Sequence, residues 1–233
     1  GSSKKSGKGL SVGKVLTHGF LIPWTLLTLY PIAWVLKMAF TPSQSFSSGL
    51  SILPENPSLD NFVYLLKETP FLTWFFNSMV IAGITTLFGI FLACTAAYAF
   101  SRFRFPGRQF GLLSFLVTQM FPGVMMMIPL YLIIAELGLL DTIWGLVVGY
   151  STAALPFAVW MLKGYFDTIP KELEESAIMD GASRGMIFWK IIMPLARPAV
   201  AVTALFSFMT AWNEFILAAT FMSQESTYTL PVG

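Results

Sequence analysis

Few residues of this sequence have the chemistry of a catalytic centre. His18 is the only histidine and Cys94 the only cysteine, so a histidine-based metal centre, an internal disulfide and a cysteine-rich metal site are not expected. Lys8 follows a glycine, but the phosphate-binding pattern G-x-x-x-x-G-K-[ST] is absent. No H-E-x-x-H pattern or nucleophile-base set is present either. We therefore predict that the chain is not an enzyme, hydrolyses no ATP and itself binds no metal or other cofactor.

The ionisable side chains that stand out lie in residues 169–198, a polar, helix-forming stretch between long apolar segments. Thr168 can cap a helix that Pro170 opens, because the missing N–H of proline costs nothing in a first turn. The glutamates within residues 172–175 complement the positive end of the helix dipole. Gly181 is predicted to end this helix, because glycine tolerates the left-handed conformation that commonly follows a helix.

A second helix is predicted directly after this glycine. Ser183 can cap it, and its apolar side chains continue until Pro194 and Pro198 interrupt the pattern. The stretch is thus predicted to form two short helices that meet at a glycine corner.

The composition places this stretch within a membrane protein. Hydrophobic residues make up 55% of the 233 residues and charged residues only 11%, whereas a soluble domain averages about 25% charged residues. Five apolar runs are long enough to cross a bilayer as helices, which takes about 20 residues each. They are residues 19–40, 71–100, 110–135, 143–166 and 199–222. Pro122 and Pro129 are predicted to bend the third run. The predicted fold is an all-α polytopic helical bundle.

The distribution of positive charge predicts the orientation. If the N-terminus is cytoplasmic, twelve of the fourteen Lys and Arg residues lie on the inner side, and only Lys37 and Lys67 lie near the outside. We therefore predict a multi-pass protein of a prokaryotic plasma (inner) membrane, surrounded by lipid. The predicted parts are a cytoplasmic N-terminal segment 1–18, a first membrane helix 19–40, an outer loop 41–70 and a transmembrane domain 71–233 with a cytoplasmic loop 167–198.

Glu214 is the only acidic residue well inside a predicted span. A charge at the centre of a bilayer costs roughly 2.5–3.5 kcal/mol on insertion scales, so such a residue usually faces the bundle interior or an aqueous cavity. Two interpretations remain open. Asn213 or Glu214 makes a hydrogen bond between helices, or both residues line a translocation path or its gate.

The polar stretch resembles the signature loop of binding-protein-dependent ABC importer permeases. That loop reads E-A-A, three residues, G, nine residues, I-x-L-P. Here the corresponding positions are Glu175-Ser176-Ala177, Gly181 and Ile191-Ile192-Met193-Pro194. Further stretches resemble the carbohydrate-uptake branch of the family, in particular the type of the second, smaller permease of the maltose transporter. They include Ala97 to Gly107, Leu155 to Trp160, Ala211 to Phe215 and Thr229 to Gly233.

The resemblance implies a type I ABC importer fold and a role in sugar uptake. In that family the loop forms coupling helices that sit in a cleft of the ATPase. The implied coupling residues are Glu174, Glu175, Ser176, Ala177, Asp180, Gly181, Ile191 and Pro194. The implied partners are a homologous, non-identical permease, an ATP-binding cassette ATPase dimer that holds ATP and Mg, and an external solute-binding protein. No nucleic acid is expected. Six spans are implied, so a sixth helix is expected after Gly233.

The sequence leaves two alternative functions open. Permeases for amino acids, peptides or phosphate share the signature loop, so the sugar assignment depends on the resemblance alone. A secondary transporter would also be an apolar bundle, but more ionisable residues within the membrane and broken helices in corresponding halves are expected of it.

Overall fold

The computed structural model describes residues 12–42, 52–54 and 56–233. The chain divides into two units, Gly1–Thr69 and Pro70–Gly233. All regular secondary structure in the described parts is helical. Most of the predicted N-terminal segment and part of the predicted outer loop lie outside the described residues.

The first unit contains one long helix and one short one. Helix α1, Val12–Ala39, includes both Pro23 and Pro31 and begins earlier than the predicted first span. Helix α2, Asp60–Glu68, follows the connecting segment. The side-chain amide of Asn61 donates to three carbonyl oxygens at the end of α1, those of Met38, Ala39 and Thr41, at 2.8–3.2 Å. Since the last carbonyls of a helix lack partners within the helix, Asn61 both caps α1 and fixes the start of α2 beside it.

Three long helices form the centre of the second unit and pack against one another. They are α3, Phe71–Arg102, α6, Ile143–Thr168, and α9, Met193–Asn213. We call the end of the bundle at which α3 and α6 end and α9 begins the loop end, because the polar stretch lies there. The opposite end is called the far end.

Each end of the bundle has its own apolar core. The loop-end core joins α3, α6 and the segment before α9 through Ala97, Leu162, Phe166, Ile187 and Ile192. The far-end core joins the same long helices through Ile81, Ala82, Leu146, Tyr150 and Ala211. Between membrane helices such buried side chains stabilise by close van der Waals packing, so the three helices form a frame for the segments at both ends.

The third predicted span is broken. Helix α4, Arg108–Met120, and helix α5, Gly123–Glu136, are bent by 107° at Phe121 and Pro122. The predicted bend at Pro122 is therefore confirmed, but Pro129 lies inside α5 without interrupting it. Within the described residues, four helices are long and apolar enough to cross a membrane, or five if the bent pair counts as one span.

The predicted start and end of the fifth span were wrong. Helix α8, Arg184–Ile187, continues through a π-helical segment, Phe188–Ile192, into α9. A π turn takes its hydrogen bond from i to i−5, as between Met193 N–H and Phe188 C=O. The helix thereby accommodates Pro194, which has no N–H to donate. Pro198 lies within α9. The prediction that these two prolines interrupt the helix was therefore wrong. The helix then ends at Asn213 rather than at residue 222.

A short helix, α10, Ile216–Phe221, follows. Asp141 is one of the residues that attach the chain after this helix to the far end. The Asp141 carboxylate accepts hydrogen bonds from the N–H and O–H of Ser223 at 2.6 and 2.5 Å, and from Gln224 N–H at 3.3 Å. The Ser223 bonds hold the pKa of Asp141 below its usual value. Asp141 also has a left-handed backbone, with φ of 57°, which Asn and Asp tolerate better than most residues.

Replacing Asp141 should therefore destabilise the far end. We expect Asp141→Ala to lower the thermal midpoint of the purified protein more than Asp141→Asn, because alanine loses both the acceptor and the tolerance of positive φ, a backbone cost of about 1–2 kcal/mol. Since the folded pKa is lowered, the Asp141 contribution is present above the ordinary aspartate pKa of about 3.9 and is lost as the pH falls below it. Equal midpoints for the two variants would contradict this assignment.

Candidate functional site

The polar stretch begins with helix α7, Glu172–Met179. Thr168 does not cap this helix as predicted, because it is the last residue of α6 and its hydroxyl donates to the Tyr165 carbonyl oxygen at 2.6 Å. The residue before a proline is disfavoured in the helical conformation, and Ile169 before Pro170 is extended, with ψ of 124°. Pro170 therefore ends the preceding helix rather than opening the next.

The predicted glycine corner is confirmed. Gly181 has φ of 84°, and two backbone bonds close the end of α7 around it, from Ala182 N–H to Ala177 O at 2.9 Å and from Gly181 N–H to Ile178 O at 3.0 Å. This pair of bonds is the Schellman motif of helix ends. Helix α8 follows, and the predicted cap is present, because Met186 N–H donates to the Ser183 hydroxyl oxygen at 3.3 Å.

One side of α7 is anchored to the end of α3 by a buried ion pair. Glu174 is only 4% exposed. Its carboxylate accepts a hydrogen bond from Arg102 Nε and another from the Tyr98 hydroxyl, the latter at 3.0 Å. Arg102 also donates to the Ile169 carbonyl oxygen at 2.9 Å. A buried charge is tolerated only when it is paired and hydrogen-bonded, and this cluster, which we call the α7 anchor, satisfies both conditions.

A second group of polar contacts adjoins the anchor at the loop end. Ser101 donates to the Asp167 carboxylate at 2.6 Å and accepts from Arg102 at 3.2 Å. Lys163 pairs with the same carboxylate at 2.6 Å. The ends of α3 and α6 and the start of α7 are thus joined by one continuous network of hydrogen bonds.

The opposite side of α7 faces away from the bundle. It presents Glu172, Glu175, Ser176, Met179 and Asp180, which line a shallow depression. Met179 is 88% exposed, although it is a large apolar side chain. We call these five residues the α7 face.

The structure thus divides the predicted coupling residues. Glu175, Ser176 and Asp180 belong to the α7 face, whereas the Glu174 carboxylate is turned into the anchor. Ala177 and Ile191 are half-buried and pack against the loop-end core. Pro194 begins α9.

The two residues predicted for a translocation path differ in their surroundings. Asn213 is exposed and its amide donates to the Met209 carbonyl oxygen at 2.8 Å. Glu214 follows the end of α9, and its carboxylate accepts from the N–H groups of Leu217 and Ala218 at 3.0–3.2 Å. It therefore caps the short helix α10, and it also lines a cavity of about 350 Å³.

Two residues of the α7 anchor were missed by the sequence analysis. Arg102 counted there only as part of the positive charge on the inner side. Tyr98 lies in an apolar run, where nothing in the sequence distinguishes it. In the part of the chain that the structure describes, no group of three His, Cys, Asp or Glu side chains could hold a metal ion.

These features define the class of the protein. Membrane-length helices are packed into a bundle, one span is broken, and a polar two-helix loop is fixed to one end with an exposed mixed polar and apolar face. The protein is a polytopic membrane protein.

Comparison with known proteins identifies the family. The family described as "Binding-protein-dependent transport system inner membrane component" matches residues 85–232. The inner membrane ABC transporter permease protein YcjP of Escherichia coli is 39% identical over 211 residues, which cover 89% of this chain and 75% of that protein. The galactooligosaccharides transport system permease protein GanQ of Bacillus subtilis is 38% identical over 211 residues, which cover 89% of this chain and 74% of that protein.

The fold is similar to that of a solved transporter. A chain from the crystal structure of a bacterial ABC transporter involved in the import of the acidic polysaccharide alginate matches with a TM-score of 0.82 and 26% identity, covering 99% of this chain and 80% of that chain. This chain therefore belongs to the inner-membrane permease family of binding-protein-dependent ABC transporters. It is a transport subunit and not an enzyme.

Proposed function

We propose that this chain forms half of the translocation path of an ATP-driven importer for a sugar or sugar-like solute, which an external binding protein delivers. The observation that carries this proposal is the two-sided structure of α7, with Glu174 buried in the anchor and Met179 exposed on the opposite face. A helix held rigidly on one side and open on the other is suited to receive force from a second protein. Relatives whose names specify galactooligosaccharides, maltodextrin and trehalose support the carbohydrate class.

The coupling partner in this proposal is an ATPase dimer that holds ATP and Mg. Its surface would receive the α7 face, with Met179 entering an apolar site and Glu175 pairing with a basic side chain. Movement of the ATPase would pass through the anchor to α3 and through the glycine corner to α8 and α9. Packed helices have discrete arrangements, so a rigid loop can shift the bundle between two of them.

The remaining half of the path would come from a homologous, non-identical permease. The positive-inside distribution supports a cytoplasmic N-terminus and a cytoplasmic α7 face. In this orientation the loop end is inside the cell and the far end is outside, where a binding protein delivers solute.

Site-specific crosslinking tests the docking surface. In the assembled transporter, a photoactivatable thiol reagent on Met179→Cys is expected to crosslink this chain to the ATPase. The matched control is Ser226→Cys, which is exposed at the far end and should give no ATPase adduct. The native Cys94 is 3% exposed, so it should not be labelled. A Met179 site that reacts only from outside the cell, or that yields no ATPase adduct, would overturn the proposal.

The solute class is tested separately. Uptake of labelled maltotriose, trehalose and a galactose disaccharide into proteoliposomes containing the complete transporter is compared with uptake of an amino acid, a peptide and phosphate. Sugar uptake supports the carbohydrate class. Uptake of only another solute class would support the alternative permease, and uptake without any ATPase would indicate a secondary transporter.

A further inference from the structure

A cavity of about 350 Å³ lies in the far-end half of the second unit. Its volume falls within the range of about 300–1,000 Å³ that is usual for small-molecule sites. The walls come from α5, α6, α9 and α10, and they are mostly apolar, with Val124, Ala153 and Leu217 among them.

Two interruptions of helices meet at this cavity. On one side Gly123 and Val124 follow the bend of 107° between α4 and α5. On another side Glu214 and Ile216 flank the break between α9 and α10. Non-helical backbone at membrane depth is tolerated only where it is buried in protein or lines a cavity. Two breaks at one cavity resemble the discontinuous helices that form the solute sites of secondary transporters.

Tyr150 provides the observation that points to a ligand. The residue is 3% exposed, and it lies on the cavity wall. Its hydroxyl is buried and makes no hydrogen bond of normal geometry among the residues that the structure describes, and it lies beside the Glu214 carboxylate. Buried hydroxyl groups are normally paired, and a group left unpaired calls for an explanation such as a ligand.

Two further polar groups line the same cavity. The Glu214 carboxylate is fixed by the N–H groups of Leu217 and Ala218, and its capacity of about four lone-pair sites leaves room for another donor. Thr210 donates its hydroxyl to the Phe206 carbonyl oxygen at 2.9 Å, so its oxygen remains able to accept. The cavity wall therefore combines a hydroxyl donor, which lies beside the Glu214 carboxylate, with two acceptors between apolar walls.

We propose that this cavity binds the solute within this subunit, and that the Tyr150 hydroxyl and the Glu214 carboxylate are its polar contacts. A neutral polyhydroxylated molecule fits, because its hydroxyls both donate and accept and its C–H faces pack on the apolar walls. An anionic solute is disfavoured beside the Glu214 carboxylate. This inference rests on the proposed function and assigns the site of the carried sugar.

Solute protection of a cysteine tests the site without measuring transport. Ala153→Cys, on the exposed part of the cavity wall, is labelled with a thiol reagent in the assembled transporter. Maltotriose, trehalose and a galactose disaccharide serve as probes, with glutamate as the charged comparison. A sugar that is taken up in the uptake assay is expected to slow the labelling, and glutamate is not.

Tyr150→Phe in the Ala153→Cys background measures the contribution of the hydroxyl. Loss of one hydrogen bond should raise the sugar concentration for half-protection about fivefold to tenfold. The thermal midpoint of the empty protein is measured for each variant, so that protection is compared only between folded proteins. Glu214→Gln should also weaken protection. The matched control is Tyr165→Phe on the same helix, whose hydroxyl donates to the Leu195 carbonyl oxygen at 3.1 Å, and it should leave protection unchanged.

The outcomes separate this inference from the proposed function. If sugars are transported but none protects Ala153→Cys, or if Tyr150→Phe leaves the half-protection concentration unchanged, the site is wrong and the sugar importer stands. If no sugar is transported and an amino acid protects instead, both are wrong.

Discussion

Arg102→Met is expected to reduce coupled uptake by more than about a hundredfold, because it leaves Glu174 as a buried charge without its partner. Breaking a buried ion pair by removing one side costs about 3–5 kcal/mol, which corresponds to two or more factors of ten in an equilibrium. Movement of α7 away from α3 would return the Glu174 carboxylate to water, and we expect the variant to populate this detached arrangement. The measurement is the amount of solute taken up per ATP hydrolysed by the assembled transporter in proteoliposomes.

Two controls separate attachment of α7 from charge as such. Lys163→Met removes an ion pair to Asp167 that lies within the single helix α6, and a pair of this partly exposed kind contributes about 0–1 kcal/mol. Coupling should remain near the wild-type value. The double variant Arg102→Met/Glu174→Met removes both charges, and apolar replacement of a buried pair is often neutral. We expect it to recover much of the coupling.

The results of these variants decide the role of the anchor. Wild-type coupling in Arg102→Met would show that α7 does not act through α3. A double variant that is folded, assembled with the ATPase and as strongly uncoupled as the single variant would show that the charges, and not the attachment, matter.

The loop could be predicted from the sequence because its determinants are local. Neighbouring residues alone are enough to recognise a glycine that must adopt positive φ. The same is true of a serine that accepts a hydrogen bond from the N–H three residues later. Gly181 and Ser183 therefore have their predicted roles. The prediction that Thr168 caps the next helix was wrong for a local reason as well. Pro170 favours an extended Ile169, so α6 ends at Thr168.

The anchor could not be predicted because its partners are distant in sequence. Arg102 and Glu174 are 72 positions apart, and Arg102 stands beside Arg104 and Arg108, which the positive-inside rule explains equally well. Only the packing of α3 against α6 brings one of these three arginines to α7. A glutamate in the first turn of a helix likewise has a sufficient local explanation in the helix dipole, so its burial leaves no signal in the sequence.

The position of Glu214 at a helix break could not be predicted from the sequence either. Hydropathy places it inside an apolar run, and the structure places it at a break between two helices, where it caps the second. The apolar composition of the run is compatible both with one continuous helix and with two helices separated by a break. What differs is the backbone, and the break has no proline or glycine to mark it.

Gly181→Val is expected to uncouple ATP hydrolysis from uptake, because valine is rarely tolerated at a φ of 84°. The strain comes from the backbone alone, since a Cβ at this position meets nothing within 4 Å in this chain. A left-handed conformation costs an ordinary L-residue about 1–2 kcal/mol, which shifts the equilibrium between formed and opened corners about fivefold to thirtyfold. Solute transported per ATP hydrolysed should fall by a similar factor, whereas Gly181→Asn should remain close to wild type.

Gly107 offers a matched control for this prediction, because it has nearly the same backbone, with φ of 81°, and the same free space around it. It precedes α4, outside the two-helix loop, so Gly107→Val imposes the same type of strain at a different place. If loss of coupling reflects general destabilisation, both valine variants should lose it equally. If the corner transmits movement from α7 to α8 and α9, only Gly181→Val should hydrolyse ATP without uptake, and Gly107→Val should keep its ratio of solute to ATP even where its thermal midpoint is lowered.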